Sequence, residues 1–143
     1  MAATFPFKLI TPTGIVFEGS VEEVSAIGPL GQFGVLAEHI NFITSLVPGV
    51  LEARLAEGRT MHWVVSGGLA EVKDGVLTVL ASSAETPESV DAGAAAAEVQ
   101  EADKKFSSLS YYDPAYAPAQ DALKLALARV EAGASRTAES RRA

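Results

Sequence analysis

The sequence predicts a mainly β fold with an α appendage: an N-terminal β-sandwich followed by a C-terminal antiparallel two-helix hairpin. Three observations carry this reading. Up to about Ala81, short apolar and β-branched runs alternate with glycine, proline or acidic turns at the spacing of an all-β sandwich. Asp74-Gly75 sits between two alternating runs, Leu69 to Lys73 and Val76 to Leu80, where a two-residue turn needs positive φ at both central positions. From Ser89 onward the strand-forming residues give way to alanine with helical spacing.

Taken in order, the expected strands are Phe7 to Ile10, Ile15 to Glu18, Val21 to Ile27, Gly34 to Leu36, Phe42 to Leu46, Val50 to Leu55, Arg59 to Val65, Leu69 to Lys73 and Val76 to Leu80. Gly28, Gly31 and Gly34 suit a backbone that turns tightly, and Pro48-Gly49 punctuates the exit from the run Ile40 to Val47. In the first helix, Ala95, Val99, Ala102 and Phe106 share one face, and Ser89 or Asp91 caps the start. The stretch Ser107 to Pro118 holds two prolines and reads as the connecting loop. A second helix is expected from Ala119 to about Ala132, with Ala122, Leu123, Ala126, Leu127 and Val130 on its apolar face, Leu125 projecting away from that stripe, and Gly133 as the stop. The chain thus divides into residues 1–85, the sandwich, and residues 86–143, the hairpin with a flexible basic tail.

An alanine-built hairpin removes little apolar surface compared with the roughly 1.5–3 kcal/mol gained by burying a Leu or Phe. Ordering each residue costs about 1–2 kcal/mol. The hairpin is therefore expected to be weakly held and able to detach, or to extend along another protein.

Composition excludes several classes of function. The 143 residues carry 11 basic and 18 acidic groups, a net charge of −7 that repels phosphate backbones and argues against nucleic-acid binding. Residues 1–85 hold 4 of the basic and 9 of the acidic groups, and the late basic excess, Arg136, Arg141 and Arg142, reads as a solvated tail. No cysteine is present, so neither a disulfide nor a thiolate metal site is available. The start MAATFPFKL lacks the charged and apolar regions of a secretion signal, and no apolar window is long enough to span a bilayer, so any membrane association is expected to come through a partner.

Nothing in the chain composes an active site. No GxxxxGK[ST] loop occurs, the glycines do not match a dinucleotide fingerprint, and Ser66-Gly67-Gly68 follows Val64-Val65, so a nucleophile elbow fails at its first glycine. His39 and His62 lack metal-site spacing. His62 and Trp63 should point to opposite faces of one strand, while His39 either donates a structural hydrogen bond or contacts a partner. Glu22-Glu23 invites an acid–base reading, but adjacent strand residues should diverge and stay solvated. No catalytic residue, metal or cofactor is expected.

Three segments, LITPTGIVFEGSVEEV, GQFGVLAEHINFITSLVPGVL and WVVSGGLAEVKDGVLTVLASSAE, resemble in order and spacing the epsilon subunit of bacterial F-type ATP synthases. The resemblance covers roughly residues 5–85 well and the helical part loosely. It implies a non-catalytic subunit of the rotor's central stalk that couples proton flow to rotation, binds the gamma subunit, and rests one end of its sandwich on the c-ring. Its hairpin would reach the catalytic alpha/beta head transiently and restrain ATP hydrolysis. The implied location is peripheral, on the cytoplasmic face of the bacterial inner membrane, held there by the complex.

By the same resemblance, Gly28, Pro29, Leu30, Gly31 and Gln32 form the ring-facing turn, and His39, Ile40, Asn41, Phe42 and Thr44 contact gamma. Where relatives typically read GHAP, this chain has Glu38-His39-Ile40-Asn41. Some members bind ATP through a carboxylate and arginines. Glu85 and Asp91 match the acidic positions and Arg129 remains, but two expected arginines are Ala94 and Leu125, which removes most of the charge-assisted phosphate contacts. The competing reading is a free-standing small-ligand or nucleotide-binding sandwich with the helices as a lid.

Overall fold

A computed structural model describes residues 3–142, with side chains described for residues 3–134. Ten strands precede two helices: β1 (Phe5–Thr11), β2 (Gly14–Val21), β3 (Glu23–Gly28), β4 (Gly31–Leu36), β5 (Phe42–Leu46), β6 (Gly49–Arg54), β7 (Thr60–Val65), β8 (Gly68–Lys73), β9 (Val76–Ala81), β10 (Ala84–Glu85), α1 (Ala92–Ser107) and α2 (Tyr116–Arg142). They form two five-stranded sheets, β2-β1-β9-β8-β5 and β10-β7-β6-β3-β4. Pairing is antiparallel except between β1 and β9, which run parallel with Phe7 opposite Leu77.

Alternation along each strand builds the core between the sheets. Phe5, Phe7 and Leu9 of β1, Leu77, Val79 and Ala81 of β9, and Ala70 and Val72 of β8 face Val24, Ala26, Leu51, Ala53, Trp63 and Val65 across the sandwich. Phe7, Phe17 and Trp63 form its aromatic centre, with ring centroids 5.4–6.5 Å apart. As expected, His62 turns away from buried Trp63, and its Nε2 lies 3.2 Å from Glu52 on the outer face of the second sheet. Asp74 and Gly75 take φ of 51° and 80°, the backbone of the tight hairpin their sequence predicts. Gly68 has φ of 150°, and a Cβ there would fall 2.0 Å from the Leu80 carbonyl oxygen, so the Ser66-Gly67-Gly68 glycines serve close strand packing.

Several expectations are corrected. The run Val21 to Ile27 breaks at Glu22, whose N–H donates to the Arg54 carbonyl (2.7 Å). Because of that break, Glu22 and Glu23 do not diverge into solvent: both pair with the Arg54 guanidinium, at 3.5 and 3.0 Å. The expected strand Gly34 to Leu36 starts earlier, at Gly31, and the two-residue β10, too short to show periodicity, pairs with β7.

The helices pack as an antiparallel pair, with Phe106 against Tyr116 at one end (centroids 4.8 Å) and Gly133 facing Ala92 and Val90 at the other. Asp91 caps α1 by accepting the Ala94 N–H (2.9 Å). The Ala95, Val99, Ala102 and Phe106 face is the inward one, as expected. α2 begins at Tyr116, because Pro118 falls within the first turn, where its missing N–H costs nothing. It also runs through Gly133 instead of stopping there; the buried glycine keeps helical backbone without positive φ and faces Val90 and Ala92. Arg136, Arg141 and Arg142, expected in a solvated tail, lie outside the residues whose side chains are described.

The hairpin lies on the outer face of the second sheet. A small second core forms there from Val64, Val90, Ala95, Ala128 and Ala132, with Val50, Leu125 and Val130 packed around it. Leu125, expected to project outward, packs inward, and Leu127, expected inside, is 50 % exposed. Heptad-like spacing cannot separate the face toward α1 from the face toward the sheet. With two neighbours, α2 buries a wider arc of mostly alanine, and its largest side chains sit at the margins.

Candidate functional site

The β3–β4 hairpin closes one end of the sandwich. Gly28 pairs with Gly31, which leaves Pro29-Leu30 as the two-residue tip, and the Leu30 side chain is fully exposed at 104 %. Gly31, at φ of 121°, supplies the turn a conformation that side chains resist. Gln32 and Phe33 then enter β4. An apolar residue held at the apex of a short paired turn is a rigid contact point.

β5 lies alongside, although it belongs to the other sheet. Val47 N–H donates to the Ile27 carbonyl (3.0 Å), and Phe33 meets Phe42 edge-on with centroids 5.8 Å apart. The structure thus joins two segments that the sequence presents separately: Gly28 to Phe33 and Phe42 to Thr44 line one shallow cleft of about 370 Å³.

The connection leading into β5 is ordered by its own side chains. Glu38 takes φ of 63°, a left-handed conformation at the position where the resemblance expects glycine. His39 Nδ1 lies 2.8 Å from the Ile40 carbonyl oxygen. Since a carbonyl only accepts, Nδ1 carries the hydrogen. The His39 ring also stacks obliquely on Phe42 (4.9 Å), and Asn41 Oδ1 accepts the Asp74 N–H (2.9 Å), which ties this segment to the β8–β9 turn. Of the two readings for His39, the structural bond is therefore present. Ile40 is left exposed, whereas Phe42 and Thr44 are half-buried on the inward side of β5.

Sequence reasoning passed over Ile43, which is the outward residue of β5 and 60 % exposed. Period-two alternation from buried Leu46 would have found it. Ile43 borders a larger feature. The outer face of the first sheet carries a cross-strand row, Ile15–Ile10–Leu80–Leu69–Ser45, set by strand register, with Leu80 49 % exposed. The neighbouring row, Glu18–Lys8–Thr78–Glu71–Ile43, is mostly polar and includes a Lys8–Glu18 ion pair at 3.6 Å.

The three residues matched to a nucleotide site separate into two roles. Asp91 is occupied as the α1 cap. Arg129 reaches both Glu98 of α1, by a hydrogen bond from Nη1, and Glu85 of β10, with Nε 3.4 Å from a carboxylate oxygen. The Glu98 hydrogen bond holds the guanidinium more firmly in its charged form, against the opposing effect of burial and with further help from Glu85. Ala102, Glu101, Lys105 and Leu125 line the open cleft of about 330 Å³ beside them. Among the described residues, no group of three or more His, Cys, Asp or Glu side chains is placed to hold a metal ion. No helix among them is long and apolar enough to cross a membrane.

Comparison with known proteins agrees with this geometry. Residues 4–87 match the family described as ATP synthase, Delta/Epsilon chain, beta-sandwich domain. The chain is 39 % identical over 130 residues to the ATP synthase epsilon chain of Nitratidesulfovibrio vulgaris, covering 91 % of this chain and 96 % of that one. It is 34 % identical over 137 residues to the epsilon chain of Geobacter metallireducens, covering 96 % and 99 %. Among solved structures, a chain of the Euglena gracilis mitochondrial ATP synthase, in an assembly of OSCP, F1 and c-ring, superposes with a TM-score of 0.78 at 28 % identity, covering 92 % of this chain and 82 % of that chain. A chain from the central stalk and c-ring of the Tetrahymena thermophila mitochondrial enzyme shares the fold, with a TM-score of 0.63 at 14 % identity, covering 90 % and 98 %. The family match over residues 4–87, together with epsilon chains 39 % and 34 % identical over nearly their whole length, places this chain in the ATP synthase epsilon family, a non-catalytic subunit of that complex.

Proposed function

We propose that this chain joins the gamma subunit to the c-ring within a proton-driven bacterial ATP synthase, and that its two parts act separately. Residues 1–85 form the mechanical joint. Its ring-facing contact is the turn Gly28, Pro29, Leu30, Gly31 and Gln32, where exposed Leu30 stands at the tip of a rigid hairpin. Its gamma contact runs along His39, Ile40, Asn41, Phe42 and Thr44, extended by Ile43 onto the outer face of the first sheet.

The observation that carries this reading is the bare apolar row Ile15–Ile10–Leu80–Leu69 beside exposed Ile43 and Ile40. Torque transfer needs a stiff body with apolar anchors, and a sandwich with a packed core resists the shear that a loop would absorb. The complex holds the chain at the cytoplasmic face of the inner membrane.

Residues 86–143 act as a brake that restrains ATP hydrolysis by reaching the alpha/beta head when the hairpin leaves the sandwich. Small alanine contacts at its base support such a departure. Nucleotide does not control it, since Arg129 is engaged by two carboxylates and Asp91 by the helix start.

Co-purification with gamma, followed by ATPase assays with and without residues 86–143, tests both parts. Retained gamma binding with faster hydrolysis after truncation is the expected result. A truncated chain that loses gamma would overturn the division of labour, and saturable heat on titrating ATP into the chain would overturn the nucleotide independence.

A further inference from the structure

The hairpin touches the sandwich through side chains of very different strength. Its apolar base is small, with Val64 and Val90 the largest fully buried side chains, beside Ala95, Ala128 and Ala132. Alongside it Arg129 spans three elements at once, joining α2 to α1 through Glu98 and α2 to β10 through Glu85. The Arg129 side chain is only 19 % exposed, so solvent and salt screen these pairs less than ordinary surface pairs.

The two halves of this junction are not equivalent. Nη1 donates a hydrogen bond to Glu98. Nε is buried with Glu85 3.4 Å away in poor hydrogen-bond geometry, so Glu85 contributes the smaller hydrogen-bonding share and Glu98 the larger. Of two charge-assisted contacts, the better-aligned hydrogen bond is the stronger.

We propose that Glu85–Arg129–Glu98 is an asymmetric clamp that opens first at Glu85, so that the hairpin leaves the sandwich as an intact two-helix unit with Arg129 still held by Glu98. The inference concerns the chain itself and stands whether or not the hairpin brakes hydrolysis, because its readout is conformational.

The chain has no natural cysteine, which allows two thiol reporters in the full-length protein. Val64→Cys reports undocking, since position 64 is covered by the hairpin, and Ala126→Cys, in the cleft between α1 and α2, reports parting of the helices. Labelling rates are compared with and without Glu85→Gln or Glu98→Gln. Glu85→Gln should speed labelling at position 64 about fivefold and leave position 126 within about twofold, as expected for loss of one partly buried ion pair. Glu98→Gln should speed labelling at position 126. The clamp is overturned if Glu85→Gln leaves position 64 unchanged or if it exposes both positions together.

Discussion

The two outer faces of the sandwich meet the same physical problem in different ways. Each sheet has one face in the shared core and one facing out, and each outward face carries apolar residues that a solvated sheet would replace with polar ones. On the second sheet, Val50 and Val64 are covered by Val90 and the alanines of α2. On the first, Ile15, Leu69 and Leu80 stay bare, flanked by Ile43 and Ile40. The covered face is sealed by the chain's own hairpin, through contacts small enough to break. The uncovered face, with larger side chains on stiffer strands, suits a permanent partner. On the proposed function, side-chain size would separate a reversible internal contact from a lasting external one.

Substitutions on β7 and β9, one strand from each sheet, can break this comparison cleanly. Trp63→Ala, in the inter-sheet core, should cost about 3–5 kcal/mol of global stability in urea unfolding, the loss typical of a large buried aromatic. Leu80→Asp, on the bare face, should leave unfolding within about 0.5 kcal/mol of the native chain. The same change should weaken gamma binding by about 2 kcal/mol, roughly thirtyfold, in a titration with purified gamma. Undiminished gamma binding would show that this face is not the lasting interface.

Val64→Ala, next to Trp63 on the opposite face of β7, should cost about 1–2 kcal/mol. That loss should appear as faster hydrogen exchange in α1 and α2, with the sandwich unfolding midpoint unchanged. If the midpoint falls with it, the hairpin and sandwich unfold as one body and the contrast between the faces fails. The smallest effect belongs to Leu127→Ala, an exposed position, at under about 0.5 kcal/mol. Leu125→Ala should exceed it, because Leu125 packs at the margin of the second core.

Much of the fold was legible because its signals are local. Asp74-Gly75 announced a turn whatever surrounded it, and the alternation in Leu69 to Leu80 separated the two faces of β8 and β9, of which the structure buries Ala70, Val72, Leu77 and Val79. In α1, one neighbouring helix on one side made periodicity sufficient. α2 has two neighbours, so the same reasoning exchanged Leu125 with Leu127, and it read Gly133 as a stop where the helix runs on. Ile43 could have been found by counting from Leu46, but the row it borders could not, since Ile15, Ile10, Leu80 and Leu69 come from four strands whose register is set by long-range pairing.

By itself the sequence determined that this chain is a β body with an alanine-rich helical arm, because backbone preference and alternation are properties of neighbouring residues. Tertiary structure alone decided which outer face the arm covers, that Glu22 and Glu23 converge on Arg54, and that Arg129 binds Glu85 and Glu98, which among the described residues lining that cleft leaves Lys105 as the other cation. Those outcomes depend on charges and surfaces distant in the chain meeting at a few ångströms, where Coulomb attraction and excluded water become strong, and no short window of residues contains that information.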